Sequence, residues 1–526
     1  MNQNPVATRH EWIGLGVIAF PCLLYAMDLS VLNLAVPALS QDLRPSASQL
    51  LWIIDIYGFL VAGSLITMGT LGDRIGRRKL LLIGAAAFGA TSVMAAFSRS
   101  AGTLIAARAL LGLAGATLAP STLSLIRNMF LDPRERTVAI SVWITSYSVG
   151  GAIGPLLGGV MLEHFWWGSV FLLAVPVMAL LLAVGPRLLP EFRDPRAGRL
   201  DLLSAGLSLA SVLLVIYGLK KFAEHGLNWP AAATIVAGFG VGALFLRRQR
   251  RLADPLIDLD LFRSRAFSGA LVTYTLALLV AFGAYVFIAQ YLQLVLGLTP
   301  LQAGLWTLPW SLGFVVGSLA TPALVRRYPR ELVMAAGMLL AALGFVVLTR
   351  VGSSSGLAPL VAASVLFSVG LAPAVTLVTD IVLAAAPPER AGAAAAISET
   401  SAELGGALGI AILGSVGTAV YRSAMTLGTP PGVPPAAAEA ARSTLGGAVA
   451  AAARLPSAVA GPLLAAAREA FTRGFQLSAW ISAGVTAGLS VLVWKLLGGG
   501  VSGAGKRNAP AEVRKPSSGA ERAASG

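Results

Sequence analysis

The chain has 526 residues, of which 56% are hydrophobic and 12% charged, and its formal net charge at pH 7 is +15. A mean hydropathy of +0.77 excludes a soluble globular domain, and repeated apolar runs of about twenty residues indicate a helical protein that crosses a membrane many times. The single cysteine excludes disulfides and cysteine-ligated metal sites within one chain. The basic excess does not indicate nucleic-acid binding, because the basic residues lie between apolar helices.

Fourteen apolar segments have the length that a membrane-spanning helix needs. They are predicted at residues 12–36, 50–71, 79–98, 103–126, 137–162, 167–189, 202–219, 230–246, 266–290, 302–325, 331–349, 357–385, 397–420 and 474–497. An even number of spans places both termini on one side. Most of the 39 Lys and Arg residues fall on that side, so the positive-inside rule predicts a plasma (cytoplasmic) membrane protein with both termini cytoplasmic.

The first span carries an acid, Asp28, among otherwise apolar residues. A carboxylate at membrane depth costs about 2.5 to 3.5 kcal/mol on insertion scales, so we expect a proton or cation site there. In the second span, Asp55 lies between Trp52 and Tyr57. For this acid, a position in a central cavity and a position at the outer helix end are equally supported.

The connection after span two is rich in glycine and charge, and we predict that it forms a gate. Asp73 can cap a helix end or pair with a base, and a glycine such as Gly76 permits a tight turn. Arg74 and Arg77 are assigned to the same gate. The alternative for the basic residues is that they only enforce the topology.

Arg108 lies in the middle of span four, between alanines and leucines. A permanent cation there requires an acidic or carbonyl partner, and we expect that partner to be Asp28 or Asp55. Movement of Arg108 relative to a carboxylate changes the proton affinity of the acid, which would couple conformation to protonation. A static structural pair is the alternative.

Span five contains closely spaced small residues that we interpret as a hinge. They are Gly150, Gly154, Pro155, Gly158 and Gly159. Glycines let helix backbones approach closely, and a proline removes one hydrogen bond from the helix. Ordinary small-residue packing is the alternative.

Three further acids lie in the second half of the chain. Glu399 and Glu403 in span thirteen are four residues apart and therefore share a helix face. In a dry site they would not both stay ionised, so we expect shared protonation, with Glu399 the better candidate for the cavity. Asp380, late in span twelve, is expected in a network on the cytoplasmic side.

Aromatic side chains are abundant near the acids. Aromatic faces beside a carboxylate suit a lipophilic cation. Tyr57, Trp143 and Tyr147 are the favoured candidates for such a cavity, and an interfacial position is the alternative.

Landmarks recur in the same order in the two halves of the chain. The stretch 71–78 has a degraded copy at 324–331, Glu135-Arg136 recurs as Glu389-Arg390, and the glycine cluster at 150–154 recurs at 405–409, with offsets of 253, 254 and 255 residues. This order indicates a duplicated six-helix unit, with the spans at 202–219 and 230–246 inserted between the copies.

Domain boundaries follow from the duplication. We predict an N-terminal six-helix bundle at 1–190, a linker with two extra spans at 191–265, a C-terminal bundle at 266–497 and a disordered cytoplasmic tail at 498–526. A long external loop at about 423–473 forms either a hairpin over the outer vestibule or a flexible linker.

The motifs resemble those of a known transporter family. Gly69–Lys79 resembles the cytoplasmic signature loop of the major facilitator superfamily, Arg108 with Gly112 and Gly115 resembles its second motif, and 150–159 is similar to its antiporter motif. With the Asp28–Pro37 stretch, the set resembles the fourteen-span drug:proton antiporters of that superfamily. The resemblance implies an all-α fold of two six-helix bundles plus two additional central helices, with alternating access between the bundles.

The resemblance extends to efflux pumps for quaternary ammonium compounds through Trp52–Tyr57, Pro255–Phe262 and the two acids of span thirteen. It implies export of lipophilic cations or amphipathic drugs in exchange for protons, with membrane lipid as the other partner and neither a cofactor nor enzymatic activity. Phe314 lies about where some of these pumps carry an acid in span ten, which leaves recognition of dications open.

Two other functions stay compatible with the sequence. One is export of an endogenous lipid, antibiotic or siderophore. The other is a non-transporting membrane sensor or scaffold, which the acids at membrane depth disfavour because a scaffold has no use for their cost.

Overall fold

The computed structural model describes residues 6–43, 45, 47–193, 201–225, 229–252, 255–353 and 356–498. The predicted tail lies outside the described residues from position 499 onward, as does part of the predicted linker.

Helices account for almost all of the described chain. The first half contains α1 (Arg9–Leu43), α2 (Ala47–Ile75), α3 (Arg77–Ala96), α4 (Ala101–Gly115), α5 (Leu118–Met129), α6 (Pro133–His164), α7 (Ser169–Leu172) and α8 (Ala174–Leu188). The inserted pair is α9 (Leu202–His225) and α10 (Trp229–Gln249). The second half contains α11 (Arg265–Gln290), α12 (Pro300–Arg327), α13 (Arg330–Leu348), α14 (Ala358–Ala385), α15 (Ala391–Gly428), α16 (Pro435–Ser443), α17 (Leu445–Ala452) and α18 (Ser457–Gly498).

Within the described residues, fourteen helical segments are long and apolar enough to cross a membrane. Each of the fourteen predicted spans coincides with one of them. Two spans are interrupted, since span four is divided into α4 and α5 and span six into α7 and α8. At the first break the hydroxyl of Thr117 donates to the carbonyl oxygen of Ala114 at 2.7 Å, a local bond that competes with regular helix geometry.

Each half repeats the same packing scheme. In the first half α1 packs along α6, α2 along α4 and α3 along α8; in the second half α11 packs along α15, α12 along α14 and α13 along α18. Between the halves α2 contacts α15, and α12 contacts α6. This reciprocal arrangement is what a duplicated unit predicts.

The inserted helices lie beside one of these two interfaces. α9 packs along α10, and α9 also contacts both α2 and α15. Gly63 of α2 faces the side chains of Leu209 and Leu213 on α9. The insertion therefore reinforces the α2–α15 side and leaves the α12–α6 side without an equivalent.

Most of the segment predicted as an external loop at 423–473 is helical. α15 continues to Gly428, the short helices α16 and α17 follow, and α18 begins directly after Pro456. The hydroxyl of Tyr421 on α15 donates to the carbonyl oxygen of Ala441 on α16 at 2.6 Å. Ala441 and Ala448 are fully buried against the second half, so the two short helices form an anchored hairpin.

Candidate functional site

Arg108 on α4 is a buried cation with two partners. Its side chain is 1% exposed, its Nη1 donates to Asp28 Oδ2 at 2.6 Å, and its Nε donates to the carbonyl oxygen of Ile53 at 3.2 Å. Of the two acidic partners expected from the sequence, the ion pair is therefore with Asp28 on α1. Asp55 is half-buried on α2.

Asp28 borders a small cavity of about 20 Å³, enough for a single water molecule. Its lining comes from α1, α3, α7 and α8, all in the first half: Leu24, Met27, Val31, Leu32, Phe88, Val170, Phe171, Leu173 and Ala174. Asp28 therefore faces the interior of the N-terminal bundle in this conformation, next to Arg108.

An aromatic cluster connects Arg108 to the interface between the halves. The guanidinium carbon of Arg108 lies 4.7 Å from the ring centroid of Tyr57. The ring of Tyr25 is 6.0 Å from that of Tyr57 and 5.7 Å from that of Tyr147, which lies 4.7 Å from the ring of Trp143. The three aromatic residues favoured from the sequence thus come together, around Tyr25, which was not favoured.

The cluster reaches the second half through Tyr25. Its hydroxyl donates to Glu403 Oε1 on α15 at 3.4 Å, a hydrogen bond between the first helix of one half and the fifth of the other. One turn earlier on α15, Glu399 Oε1 is buried and has no hydrogen-bond partner among the described residues.

Such an orphaned carboxylate oxygen is expensive in a protein interior, where each unsatisfied polar group costs about 1 to 3 kcal/mol. A proton, a bound water molecule or a cation beside it can satisfy such an oxygen. Among the described residues, no group of three or more His, Cys, Asp or Glu side chains is arranged to hold a metal ion.

On one side of the molecule, the predicted gate residue Asp73 joins the two halves. Its carboxylate accepts hydrogen bonds from the backbone N–H groups of Ala393 at 3.1 Å and Gly392 at 3.4 Å, in the first turn of α15. It also pairs with Arg77, whose Nη1 donates to the carbonyl oxygen of Gly69 at 2.8 Å. An acid at a helix N-terminus is stabilised by the helix dipole and by the free N–H groups.

The turn between α2 and α3 shows why the sequence needs glycine there. Gly76 has φ +112°, a conformation that side chains disfavour, and an added Cβ would also meet the carboxylate of Glu191. Glu191 accepts hydrogen bonds from the backbone N–H groups of Arg78 and Lys79 at 3.0 and 3.1 Å. The sequence did not predict this cap by Glu191. The predicted gate residue Arg74 lies in the last turn of α2.

A second buried contact closes the α12–α6 side. Asp380 on α14 is fully buried and accepts hydrogen bonds from Arg136 Nε on α6 at 2.7 Å and Arg330 Nη1 on α13 at 3.1 Å. The hydroxyl of Thr137 donates to it at 3.3 Å. The sequence suggested a network around Asp380 but neither of its arginine partners.

The predicted hinge residues all lie in α6, which runs through Pro155 without interruption. Gly150 lies against the carbonyl group of Leu23, and Gly158 against the side chain of Val31 on α1. Gly154 is buried, whereas Gly159 faces open space. The glycines provide close packing here, and their role as a hinge stays a prediction.

Residues 18–410 match the family described as Major Facilitator Superfamily. This chain belongs to that superfamily. The multidrug efflux pump LfrA of Mycolicibacterium smegmatis is 44% identical over 91% of this chain and 95% of its own length. The methyl viologen resistance protein SmvA of Salmonella typhimurium is 37% identical over 88% of this chain and 93% of its own length.

A solved member of the superfamily shares the fold at low sequence identity. The human organic anion transporter MFSD10 (TETRAN) aligns with a TM-score of 0.59 and 16% identity, over 93% of this chain and all of that one. At this identity the likeness concerns the fold alone. The all-helical major facilitator fold predicted from the sequence is confirmed, and with it the resemblance to superfamily drug exporters.

Proposed function

We propose that this chain is a proton-coupled efflux antiporter that exports lipophilic cations or amphipathic drugs by alternating access between its halves. It would lie in the plasma membrane with both termini in the cytoplasm. The relatives named for multidrug efflux and for methyl viologen resistance support the substrate class. The observation that carries the proposal is the buried carboxylate oxygen of Glu399, which has no hydrogen-bond partner among the described residues. Glu399 lies one helical turn from Glu403, the acid that accepts from Tyr25 of the aromatic cluster across the interface between the halves.

Glu399 is the proposed exchange site. In an apolar layer one carboxylate neutralises either one proton or one cationic group, so the two compete. Aromatic rings that line the same layer, Tyr25 and Tyr147, favour a desolvated cation through their faces. Binding a proton from outside therefore releases the drug, and loss of the proton to the cytoplasm restores the anionic site.

Asp28 has a different part, because Arg108 already neutralises it in this conformation. A movement of α1 away from α4 would separate the two partners of this ion pair. Tyr57 and Tyr25 connect this pair to Glu403. A rearrangement of α1 against α15 would then change the surroundings of both acid groups in one motion.

The driving force depends on how many protons enter for each cation that leaves. Moving one net charge through the membrane potential yields about 2.3 kcal/mol per 100 mV. Exchange of one proton for one monocation moves no net charge and responds only to the pH difference. Exchange of two protons would also use the potential, and the acids at Glu399 and Asp28 would supply two sites.

Transport by purified protein in liposomes tests the proposal. We expect ethidium or a quaternary ammonium compound to move against its gradient when a pH difference is imposed, and not without one. Glu399→Gln should lower the affinity for a monocation about 100-fold, since removal of one partner from a buried charge pair costs about 3 kcal/mol. The matched control is Glu469→Gln on α18, whose side chain is half exposed.

Two different results would contradict the two parts of the proposal. Retention of pH-driven efflux by Glu399→Gln, with an unchanged pH profile, would contradict the assignment of Glu399. Absence of any pH-driven movement by the unmodified protein, for ethidium and quaternary ammonium compounds alike, would contradict the proposed function itself.

A further inference from the structure

The segment that leaves the inserted helices is buried although it belongs to a connection. We call residues Pro255–Asp258 the strap. Leu256 is 1% exposed and Ile257 6% exposed. The strap lies between the end of α10 and the start of α11. It is the first part of the Pro255–Phe262 motif, which has no role in the proposed transport mechanism.

The backbone of the strap is hydrogen-bonded on both sides at Leu256. Its N–H donates to Gln249 Oε1, at the end of α10, at 2.7 Å. Its carbonyl oxygen lies 3.1 Å from the hydroxyl of Thr70 on α2. The same hydroxyl lies 2.9 Å from the carbonyl oxygen of Ile66 in its own helix, so its single proton is shared between the two acceptors. Thr70 is buried, follows directly after Gly69 and precedes Asp73 by three residues, so this bond ends inside the gate.

The hydrogen bonds continue from Gln249 into the inserted pair. Gln249 Nε2 donates to the hydroxyl of Ser204 at 2.8 Å, and that hydroxyl donates to Asp201 Oδ2 at 2.7 Å. Arg248 Nε donates to the same carboxylate oxygen at 2.7 Å. A continuous polar chain thus runs from α9 and α10 through the strap to the gate on α2.

The other end of the strap contacts the second half. Asp258 Oδ2 lies 3.5 Å from Arg390 Nη1. Arg390 directly precedes α15, whose first N–H groups are bound by Asp73. The strap is therefore attached to both of the elements that Asp73 joins, α2 and the start of α15.

We propose that Thr70, Gln249 and Asp258 are positioning residues that hold the cytoplasmic gate closed through the strap. The inserted helices then serve as an anchor for the gate at the α2–α15 interface. Alternating access separates α2 from α15 on this side, so opening must break one of the strap's two attachments. The inference goes beyond the proposed function, because it depends on alternating access and not on what is carried.

The strap's attachments to α2 and to the start of α15 differ in strength, and this difference predicts which of them breaks when the gate opens. The Thr70–Leu256 contact is buried. Although the Thr70 hydroxyl is shared with Ile66, its removal takes this donor away from the buried Leu256 carbonyl, and loss of a buried partner is costly. The Asp258–Arg390 pair is 3.5 Å long, with side chains about one third exposed, and such pairs contribute little. The strap is expected to remain on α2 and the inserted pair and to release α15.

Distance measurements between spin labels on the full-length protein test this mechanism. Cys22, the only cysteine, is replaced by serine, and labels are attached at Arg134→Cys and Arg327→Cys. Both positions are exposed, at the start of α6 and the end of α12. The two labels lie in different halves, so the distance between them changes when the halves separate. Double electron–electron resonance without substrate then reports the ratio of states that are open to the cytoplasm to states that are closed to it.

We expect Thr70→Val to raise the ratio of open to closed about tenfold and Thr70→Ser, which keeps the hydroxyl, to leave it near the unmodified value. Asp258→Asn should raise it about threefold. The control is Ser211→Ala, which removes a 2.9 Å hydrogen bond to the carbonyl of Gly238 inside the inserted pair without touching the strap.

Equal ratios for Thr70→Val and Thr70→Ser would overturn the proposal. So would an equally large shift in Ser211→Ala, since that would indicate general loosening of the insertion. If Thr70→Val fails to fold, an unchanged ratio in Asp258→Asn and in Gln249→Met together would overturn it. None of these results bears on ethidium efflux, so failure here leaves the proposed function standing. The efflux of Glu399→Gln, in turn, does not decide the spin-label ratios of the strap variants.

Discussion

The α2–α15 and α12–α6 interfaces are equivalent by duplication, and yet different chemistry closes them. At the first, Asp73 binds the backbone N–H groups at the start of α15. At the second, Asp380 comes from α14 and binds side chains, those of Arg136 on α6 and Arg330 on α13. One acid acts as a helix cap and the other as the centre of an ion-pair network.

The ends of the two helices explain the difference. α6 has its own cap, because Asp132 accepts from the N–H groups of Arg134 and Glu135 at 2.8 and 3.1 Å. α15 has no side-chain cap of its own and takes Asp73 from the other half. The degraded copy of the signature loop has Arg326 where the first copy has Asp73. The two halves thus share the same helix packing, whereas the polar contacts that join them differ between the two interfaces.

The largest expected effect is at Asp380. Asp380→Asn leaves Arg136 buried beside Arg330 without a counter-charge, and breaking such a pair costs about 3 to 5 kcal/mol. We expect a fall in thermal stability and a shift towards the open state, measured by unfolding and by spin-label distances. The double variant Asp380→Asn/Arg136→Gln should recover part of the loss, and no recovery would contradict an ion-pair role.

Glycine substitutions test the shared packing. Gly150 lies against the carbonyl group of Leu23, and its counterpart Gly405 against that of Thr275. Because backbone cannot move aside as a side chain does, Gly150→Ala and Gly405→Ala should each cost about 1 to 3 kcal/mol in unfolding free energy. Gly151→Ala, which faces open space, is the control. A clearly different loss of unfolding free energy in Gly150→Ala and Gly405→Ala would contradict the equivalence of the packing in the two halves.

The two capping acids distinguish an effect within one half from an effect between the halves. Asp132→Ala removes a cap within one half, so it should lower the free energy of unfolding by about 1 kcal/mol without moving the open-to-closed ratio. Asp73→Asn should raise the ratio of open to closed states, because the helix that Asp73 caps lies in the other half. Thermal unfolding and spin-label distances on both variants distinguish them, and a shifted ratio in Asp132→Ala would contradict the distinction.

The smallest effect concerns the far end of the strap network, which only the α2–α15 side possesses. Hydrogen bonding to Arg248 lowers the pKa of Asp201 to about 2 from its ordinary 3.8. A carboxyl whose pKa is lower in the folded chain stabilises the fold above about pH 4, and this contribution is lost as the pH falls towards 2.

Asp201→Asn should therefore lower the melting temperature slightly at pH 7 and not at pH 2. The side chains are 19% and 37% exposed, which limits the gain through solvent screening. The exposed Asp260–Arg263 pair is the control, and Asp260→Asn should change less. A difference between Asp201→Asn and the unmodified protein that grows on acidification would contradict the sign.

Much of the fold was predictable because apolar length and charge placement act locally. The fourteen spans and the position of Glu399 and Glu403 on one helix face follow from nearby residues. Helix ends were less predictable. α18 begins well before its predicted span at 474, since a helix can continue past the apolar segment when polar residues also favour it.

The partners across helices were the least predictable part of the site. A helix that is apolar on all sides gives no periodic signal for its rotation, so the sequence left Arg108 with two possible acids and did not favour Tyr25. Asp380 was expected in a network, but Arg136 and Arg330 lie far away in the chain and carry no local mark of their contact.

The α16–α17 hairpin has a practical consequence for imaging. At about 1.5 Å per residue, the 42 residues of α18 extend about 63 Å, roughly twice the hydrocarbon thickness of a bilayer. The hairpin and the ends of α15 and α18 therefore protrude from a detergent micelle as a rigid, asymmetric landmark. Electron cryomicroscopy of such a small transporter can align particles on this landmark, and an antibody fragment raised against it would enlarge the target.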